Sequence, residues 1–403
     1  MSCWLRLQEG LVVSGSGVSM VGGRTKHQND TGGPFVYENW KAALAGSPSR
    51  GVLEFCLFSE APIISELKDL GPYQLLNALP LVSLPVADFA PAIVLRVEVH
   101  SGEPSEVKVP RKTNTERYHG GGLPSEFAGL LSLCFAARIE PGYLSRTFEP
   151  DGDPLGRPRA HHWHARPMLL RASSEAPVLP TLSERPSLAH AQRLGTIPML
   201  APAAAVALVR AAKLYQRGLW TSDAHPEYAW LMLVSAVETA AQYWRCEKEP
   251  PLDRMRASKP ELAAFLQAEC SPDVVVRVAE LVADYMGATK TFVDFVLEFV
   301  PPPPRQRPPQ ALRLEWKAMP THMRKVYHYR SRALHNGTPF PLPMCRPPRL
   351  IEGGWQEKPL GLAQVALGAT WEQADTPMLL HVFEYLVRHA LLRWWEAMTG
   401  DDV

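Results

Sequence analysis

Thr321-His322-Met323-Arg324-Lys325-Val326-Tyr327-His328-Tyr329-Arg330-Ser331-Arg332-Ala333-Leu334-His335-Asn336-Gly337 reads as one amphipathic helix. It opens at Pro320–Thr321, where a first-turn proline loses no hydrogen bond. It stops at Asn336-Gly337, a C-terminal signal that uses glycine's access to positive φ. The apolar stripe is Met323, Val326 and Tyr327, then Ala333 and Leu334. Arg330 interrupts that stripe where a leucine would be ordinary, and a guanidinium on a core face needs an anion or a carboxylate. Arg324, His328, Ser331, Arg332 and His335 form the neighbouring face. His335 sits in the last turn, where the negative end of the helix dipole favours its protonated form.

The same proline punctuation extends to both sides. Helices are predicted over Ala203–Leu219 and Pro226–Trp244, then over Glu261–Glu269. A long helix is predicted from the cap at Ser271 and Pro272 to about Val300, with a weak point at Gly287. A last helix is predicted from Thr376-Pro377 to Met398, its stripe carried by Leu379, Phe383, Leu386, Ala390 and Trp394. Residues 201–400 are therefore expected to be an all-α bundle. Upstream the pattern mixes. Val52–Phe58 and Ala92–Val99 read as strands, Ser125–Ile139 as a helix with Gly142 just past its end, and 149–200 as a long proline-rich connection. Residues 35–200 are expected to be an α+β domain of unknown role, and the Gly/Ser-rich residues 1–34 a flexible N-terminus.

Composition narrows the classes. The chain has 403 residues with 46% hydrophobic and 21% charged, which excludes wholesale disorder. Lys+Arg is 42 and Asp+Glu 41, so the whole is neither a basic nor an acidic tail protein. The balance hides a local excess: residues 301–350 hold ten basic side chains against one acidic. That is either a polyanion footprint or a solvated basic surface. Six cysteines lie scattered without a CxxC pair, which argues against a disulfide framework or a zinc ribbon. No signal peptide and no apolar run of membrane length is visible, so a cytoplasmic protein with no membrane partner is expected.

Arg330-Ser-Arg-Ala-Leu-His335 resembles the R-x4-6-H motif of HEPN-domain ribonucleases. It is most similar to the ApeA-like group, whose phrase reads Tyr-x-x-Arg-Ser-x-x-x-His-Gly. Tyr327, Arg330, Ser331 and His335 match, while Asn336 intrudes before Gly337. Trp230–Ala241, with Ser235-Ala236-Val237-Glu238, resembles the second-helix phrase of that group. The resemblance spans about residues 200–400, and Ser331 departs from the Asn, Asp or His that many HEPN nucleases carry after the arginine. It implies a metal-independent endoribonuclease without a cofactor. Such proteins are usually homodimers and often growth-arresting effectors in phage defence, which would make the N-terminal domain the sensor of a phage or regulatory trigger. Arg330 and His335 would be catalytic. Glu238, Tyr327 and Ser331 would support them, and Arg324, His328, Arg332 and Asn336 would contact RNA.

Helical geometry raises a difficulty. Residues five apart differ by about 140° around the axis. Arg330 and His335 therefore point apart on a straight helix, and either a bend at Asn336-Gly337 or a second copy of the motif across a dimer would resolve this. Each residue also has a plainer reading. Arg330 could be a core-edge arginine paired to a carboxylate such as Glu238, His335 a helix cap, and Tyr327 core. Arg324, His328 and Arg332 could be a solvated face. The alternative to the ribonuclease is a non-catalytic RNA-binding or dimerisation module that keeps the same scaffold.

Other motifs carry less. His161-His162-Trp163-His164 could bind a metal but lies in a proline-rich loop without a spaced partner pair. His119-Gly120-Gly121-Gly122 resembles an esterase oxyanion loop, yet the chain has no G-x-S-x-G turn, and the reading is set aside.

Overall fold

A computed structural model describes residues 32–77, 89–101, 113–149, 160–161, 176–183, 186–248, 250–282, 287–361 and 363–400. The N-terminal stretch expected to be flexible lies almost wholly outside them, as does most of the His161–His164 run.

The α+β expectation for the N-terminal region holds. Helix α1 (Phe35–Leu44) precedes β1 (Val52–Ser59), β2 (Leu67–Leu70), β3 (Tyr73–Asn77) and β4 (Ala90–Glu98). Helix α2 (Leu123–Phe135) follows, then β5 (Ile139–Phe148) and the short β6 (Ala160–His161). The strands form one antiparallel sheet in the order β2-β3-β4-β1-β5-β6. The period of two sorts side chains to opposite faces. Leu57, Ile93, Leu95 and Leu75 are buried in the main core. On β1, Glu54 alternates with Leu53 and Phe55 and faces the other way, between Arg96 and Arg146 on its two neighbouring strands.

The helix predicted over Ser125–Ile139 is shorter at its C-terminal end. It ends at Phe135 because Ala136 turns into the left-handed region, with φ of 52°. Ile139 then pairs with Ser59 as the first residue of β5. Gly142 is thus a strand residue rather than a helix stop. A Cβ there would lie 2.6 Å from the Cys56 carbonyl oxygen, so glycine permits the close crossing of β1 and β5.

From Pro202 onward the chain is mostly helical, but not all-α as expected, because glycine turns at positive φ (Gly353, Gly368) fold the segment between the last two helices into two small hairpins. Helices α3 (Pro202–Thr221), α4 (Pro226–Lys248), α5 (Pro251–Ser258), α6 (Pro260–Glu269) and α7 (Pro272–Val282) each begin at a proline. Then come α8 (Ala288–Glu298), α9 (Met319–Asn336) and α10 (Leu380–Thr399), with the small hairpins β7–β8 (Leu350–Ile351, Gly354–Trp355) and β9–β10 (Ala363–Ala366, Ala369–Glu372) between the last two. The single long helix predicted from Ser271 to Val300 is two. Gly287, at φ of 70°, opens α8 in the left-handed region, which an unbroken helix cannot contain. The last helix begins later than Thr376-Pro377, because the Leu379 N–H bonds the Glu357 carbonyl before the first turn forms. The proline-rich connection before α3 ends in a 3-10 stretch, Leu188–Met199, that buries Leu188, Ala191, Leu194 and Ile197.

Gly32–Val403 is one compact unit. The change near residue 200 is a change of secondary structure across a shared core, because α2 packs between the sheet and α3. At its centre Trp230 stacks on Phe383 at 4.6 Å and on Phe340 at 5.2 Å. All five residues expected on the apolar stripe of α10 are buried. Helices α5, α6 and α7 hold a separate small core around Met255, Ala263, Val275 and Ala279. Among the described residues no helix is long and apolar enough to cross a membrane.

Candidate functional site

Helix α9 lies against α4 and α8. Met323, Val326 and Tyr327 are buried, which confirms the first half of the predicted stripe. Its second half fades: Ala333 is half-buried and Leu334 is 53% exposed. The helix therefore lifts away from the core just after Arg330.

Glu238 projects from α4 toward that point. Its Oε1 accepts a hydrogen bond from the Tyr327 hydroxyl at 2.9 Å, and its Oε2 accepts one from Arg330 Nη2 at 2.7 Å. The two side chains of the ion pair are 21% and 23% exposed, so the pair sits at the core edge. The guanidinium also lies over the Tyr327 ring, 5.6 Å from its centroid, a favourable cation–π placement. Phe292 of α8 backs the same ring at 5.2 Å. Burial first, and then the adjacent carboxylate, push the Tyr327 hydroxyl up to about 12, so it stays a donor. Arg330 Nε is buried and has no acceptor among the described residues. A buried donor left unpaired is costly, and the guanidinium thus keeps one edge with unspent bonding capacity.

The remaining predicted site residues take the exposed side and end of α9. Arg324, His328, Arg332, His335 and Asn336 are exposed, and Ser331 is half-buried. His335 has no side-chain partner among the described residues. The helix stays regular through Asn336, and the left-handed residue is Gly337 at φ of 67°. Gly337 and Thr338 N–H groups both close on the Arg332 carbonyl, a glycine C-cap. The bend that could have turned His335 toward Arg330 is absent, because the glycine lies after the histidine. The structure thus brings Arg330, Tyr327 and Glu238 together and leaves His335 apart from them.

The basic excess of residues 301–350 divides in two. Arg307 is held bidentately by Glu357, Arg313 by the Pro308 carbonyl, Lys325 by Asp375, and Arg330 by Glu238. Arg305, Lys317, Arg324, Arg332, Arg346 and Arg349 are exposed, with no side-chain partner among the described residues. Sequence reasoning missed Phe292 and Asp375 at this site, since ring contacts and ion pairs between distant elements leave no local signal. No group of three His, Cys, Asp or Glu side chains able to hold a metal occurs among the described residues.

No protein-family model matches the chain, and no curated protein and no solved structure matches it either.

Proposed function

We propose that the protein is an endoribonuclease of HEPN type, acting through Arg330 and His335 without a metal. The observation that carries the reading is Arg330 itself. It is a half-buried guanidinium, held by Glu238 and backed by Tyr327, with an unspent Nε, at the start of an exposed cationic helix end. In the proposed reaction an RNA 2′-OH attacks the adjacent phosphorus and expels the 5′-oxygen. His335 moves the proton, work typically worth about 10²–10⁴-fold. Arg330 stabilises charge on the phosphoryl oxygens. Arg324, His328, Arg332 and Asn336 hold the flanking backbone.

Because α9 is regular through Asn336, the offset of about 140° between the two catalytic positions persists. The active unit is therefore proposed to be a homodimer that draws an arginine and a histidine from opposite copies. A role as a growth-arresting effector in phage defence, with the sheet region receiving the trigger, follows from the family resemblance.

The second reading is a non-catalytic HEPN module that binds RNA or dimerises. The observation favouring it is that Glu238 already neutralises Arg330. Incubation of purified protein with total RNA in EDTA separates the two. Cleavage by the unaltered protein, lost in Arg330→Ala and in His335→Ala, supports the nuclease, and partial recovery on mixing the two variants supports the dimer. RNA binding without cleavage supports the module. Cleavage that EDTA abolishes in a folded protein rejects the mechanism.

A further inference from the structure

A second group of reactive side chains lies away from α9, where α2 and α3 cross. Lys213 of α3 is 9% exposed, and its Nζ donates to the hydroxyl of Ser125, in the first turn of α2, at 2.8 Å. That is the ammonium's one hydrogen bond among the described residues. The two carboxylates near it are engaged elsewhere. Glu126 accepts from the Phe35 and Val36 N–H groups at 2.8 and 2.7 Å and from His119 at 2.7 Å. Glu140 accepts from Gln216 at 2.9 Å and Arg217 at 3.2 Å. A buried amine without a carboxylate partner favours its neutral form. Burial first, and then the Arg217 charge, lower the Lys213 ammonium from its ordinary range, and Glu126 and Glu140 oppose this only in part.

The loop His119–Gly122 closes over the pair. A Cβ at Gly121 would lie 2.4 Å from Lys213 Nζ and 2.5 Å from Ser125 Oγ, so backbone there touches both groups. Gly129, one turn further along α2, lets Lys213 pass: a Cβ there would meet Lys213 Cγ at 3.1 Å. Ser125 is half-buried, and Gly120, Gly122 and Tyr118 on the rim are exposed. Gly122 is the N-cap of α2, so the Gly121–Gly122 backbone stands at the positive end of that helix.

We infer that Ser125 and Lys213 are a nucleophile and its base, forming an acyl-enzyme with carboxylic esters. Neutral Lys213 takes the Ser125 hydroxyl proton as Oγ bonds to the ester carbonyl carbon. The Gly121 and Gly122 N–H groups are the donors available to the resulting oxyanion. Collapse breaks the bond to the leaving alcohol, which takes the proton back from Lys213 Nζ. Water then cleaves the Ser125 ester by the same proton path, releasing the acid and restoring both groups. This site does not depend on the ribonuclease reading.

The test uses the full chain, a fluorophosphonate serine probe and p-nitrophenyl acetate at pH 7–9.5, with peptide mass spectrometry to locate the adduct. The expected adduct is on Ser125, and its rate rises with pH as Lys213 gives up its proton. Arg217 on α3, Glu126 on α2 with His119 upon it, and Glu140 on β5 are the charged groups that set that rise. Ser125→Ala abolishes the adduct. Lys213→Arg keeps a charged donor to Ser125 but cannot act as a base, so labelling and ester turnover fall about 10²-fold or more while circular dichroism stays unchanged. Absence of a Ser125 adduct in the folded protein overturns the inference. So does an equal rate in Lys213→Arg, which would make the contact a structural tie between the two helices.

Discussion

Two arginine–glutamate pairs in this molecule use the same residue types to opposite ends. In the sheet, Glu54 is 1% exposed and bonds Arg96 through Nε at 2.8 Å and Arg146 through Nε at 2.5 Å. All three lie in register on adjacent strands, so the carboxylate ties β4, β1 and β5 together. In the helical region, Glu238 meets Arg330 through one Nη at the core edge and shares its other oxygen with Tyr327. In the first, Glu54 and Arg96 are closed off from water at 1% and 11% side-chain exposure, and Arg146 flanks them at 36%. The second is half-open and leaves Arg330 Nε without an acceptor. Burial on both sides makes an ion pair a structural commitment, because losing one partner strands a charge. Partial exposure makes it a holder, because water and incoming ligands can compete for the same guanidinium.

That contrast can be broken at four points. The largest effect is expected at α9: His335→Ala should lower RNA cleavage by about 10²–10⁴-fold, and Arg330→Ala comparably, with the melting curve nearly unchanged for His335→Ala. Cleavage kinetics on a labelled RNA check this, and a fully active His335→Ala would leave the helix end as a solvated face.

At the closed pair, Glu54→Ala should cost about 3–5 kcal/mol of folding stability, since it leaves two guanidiniums facing each other across β1. Urea denaturation measures this, and a loss below about 1 kcal/mol would show that Arg96 escapes to water.

A smaller change is expected along the exposed face. Arg324→Gln with Arg332→Gln should reduce the slope of log affinity against log salt by about 1.4, if each side chain neutralises one phosphate of single-stranded RNA. Binding isotherms between 50 and 200 mM salt read it, and an unaltered slope would place the RNA path elsewhere.

The smallest effect should be Glu238→Gln. It keeps one acceptor oxygen, for Arg330, and turns an amide N–H toward the Tyr327 oxygen while removing the charge, so stability should change by about 1 kcal/mol or less. The Tyr327 hydroxyl should titrate below its present value of about 12, because the carboxylate contributes to holding it up. The sign follows from linkage. A hydroxyl raised in the fold from its ordinary value near 10 keeps its proton longer than in the unfolded chain, so its contribution to stability is lost as pH rises from about 10 to about 12. Ultraviolet titration of the variant beside the parent chain resolves the shift.

What was legible in the sequence is what depends on neighbours along the chain. Proline at first turns and glycine at Gly337 marked α3, α4, α7 and α9, because a missing N–H and a positive φ are local properties. The strands β1 and β4 were legible as apolar runs, as was the apolar stripe of α10. Arg330 stood out because it broke a stripe, and Glu238 was a foreseeable partner because it broke an apolar helix. The strands β2, β3 and β5 and the helix α1 were not foreseen. Their short or mixed patterns are stabilised by cross-strand pairing and by contacts such as the Glu126 carboxylate that caps α1 from 90 residues away. Only the tertiary structure decided that Ile139 continues as strand rather than helix, that Glu54 is shared by two arginines, that Arg330 keeps a free edge while His335 stands apart from it, and that Ser125 meets Lys213. Each of these depends on which distant groups are buried together, and desolvation and pairing across the fold are settled by packing in three dimensions, which residue order alone does not encode locally.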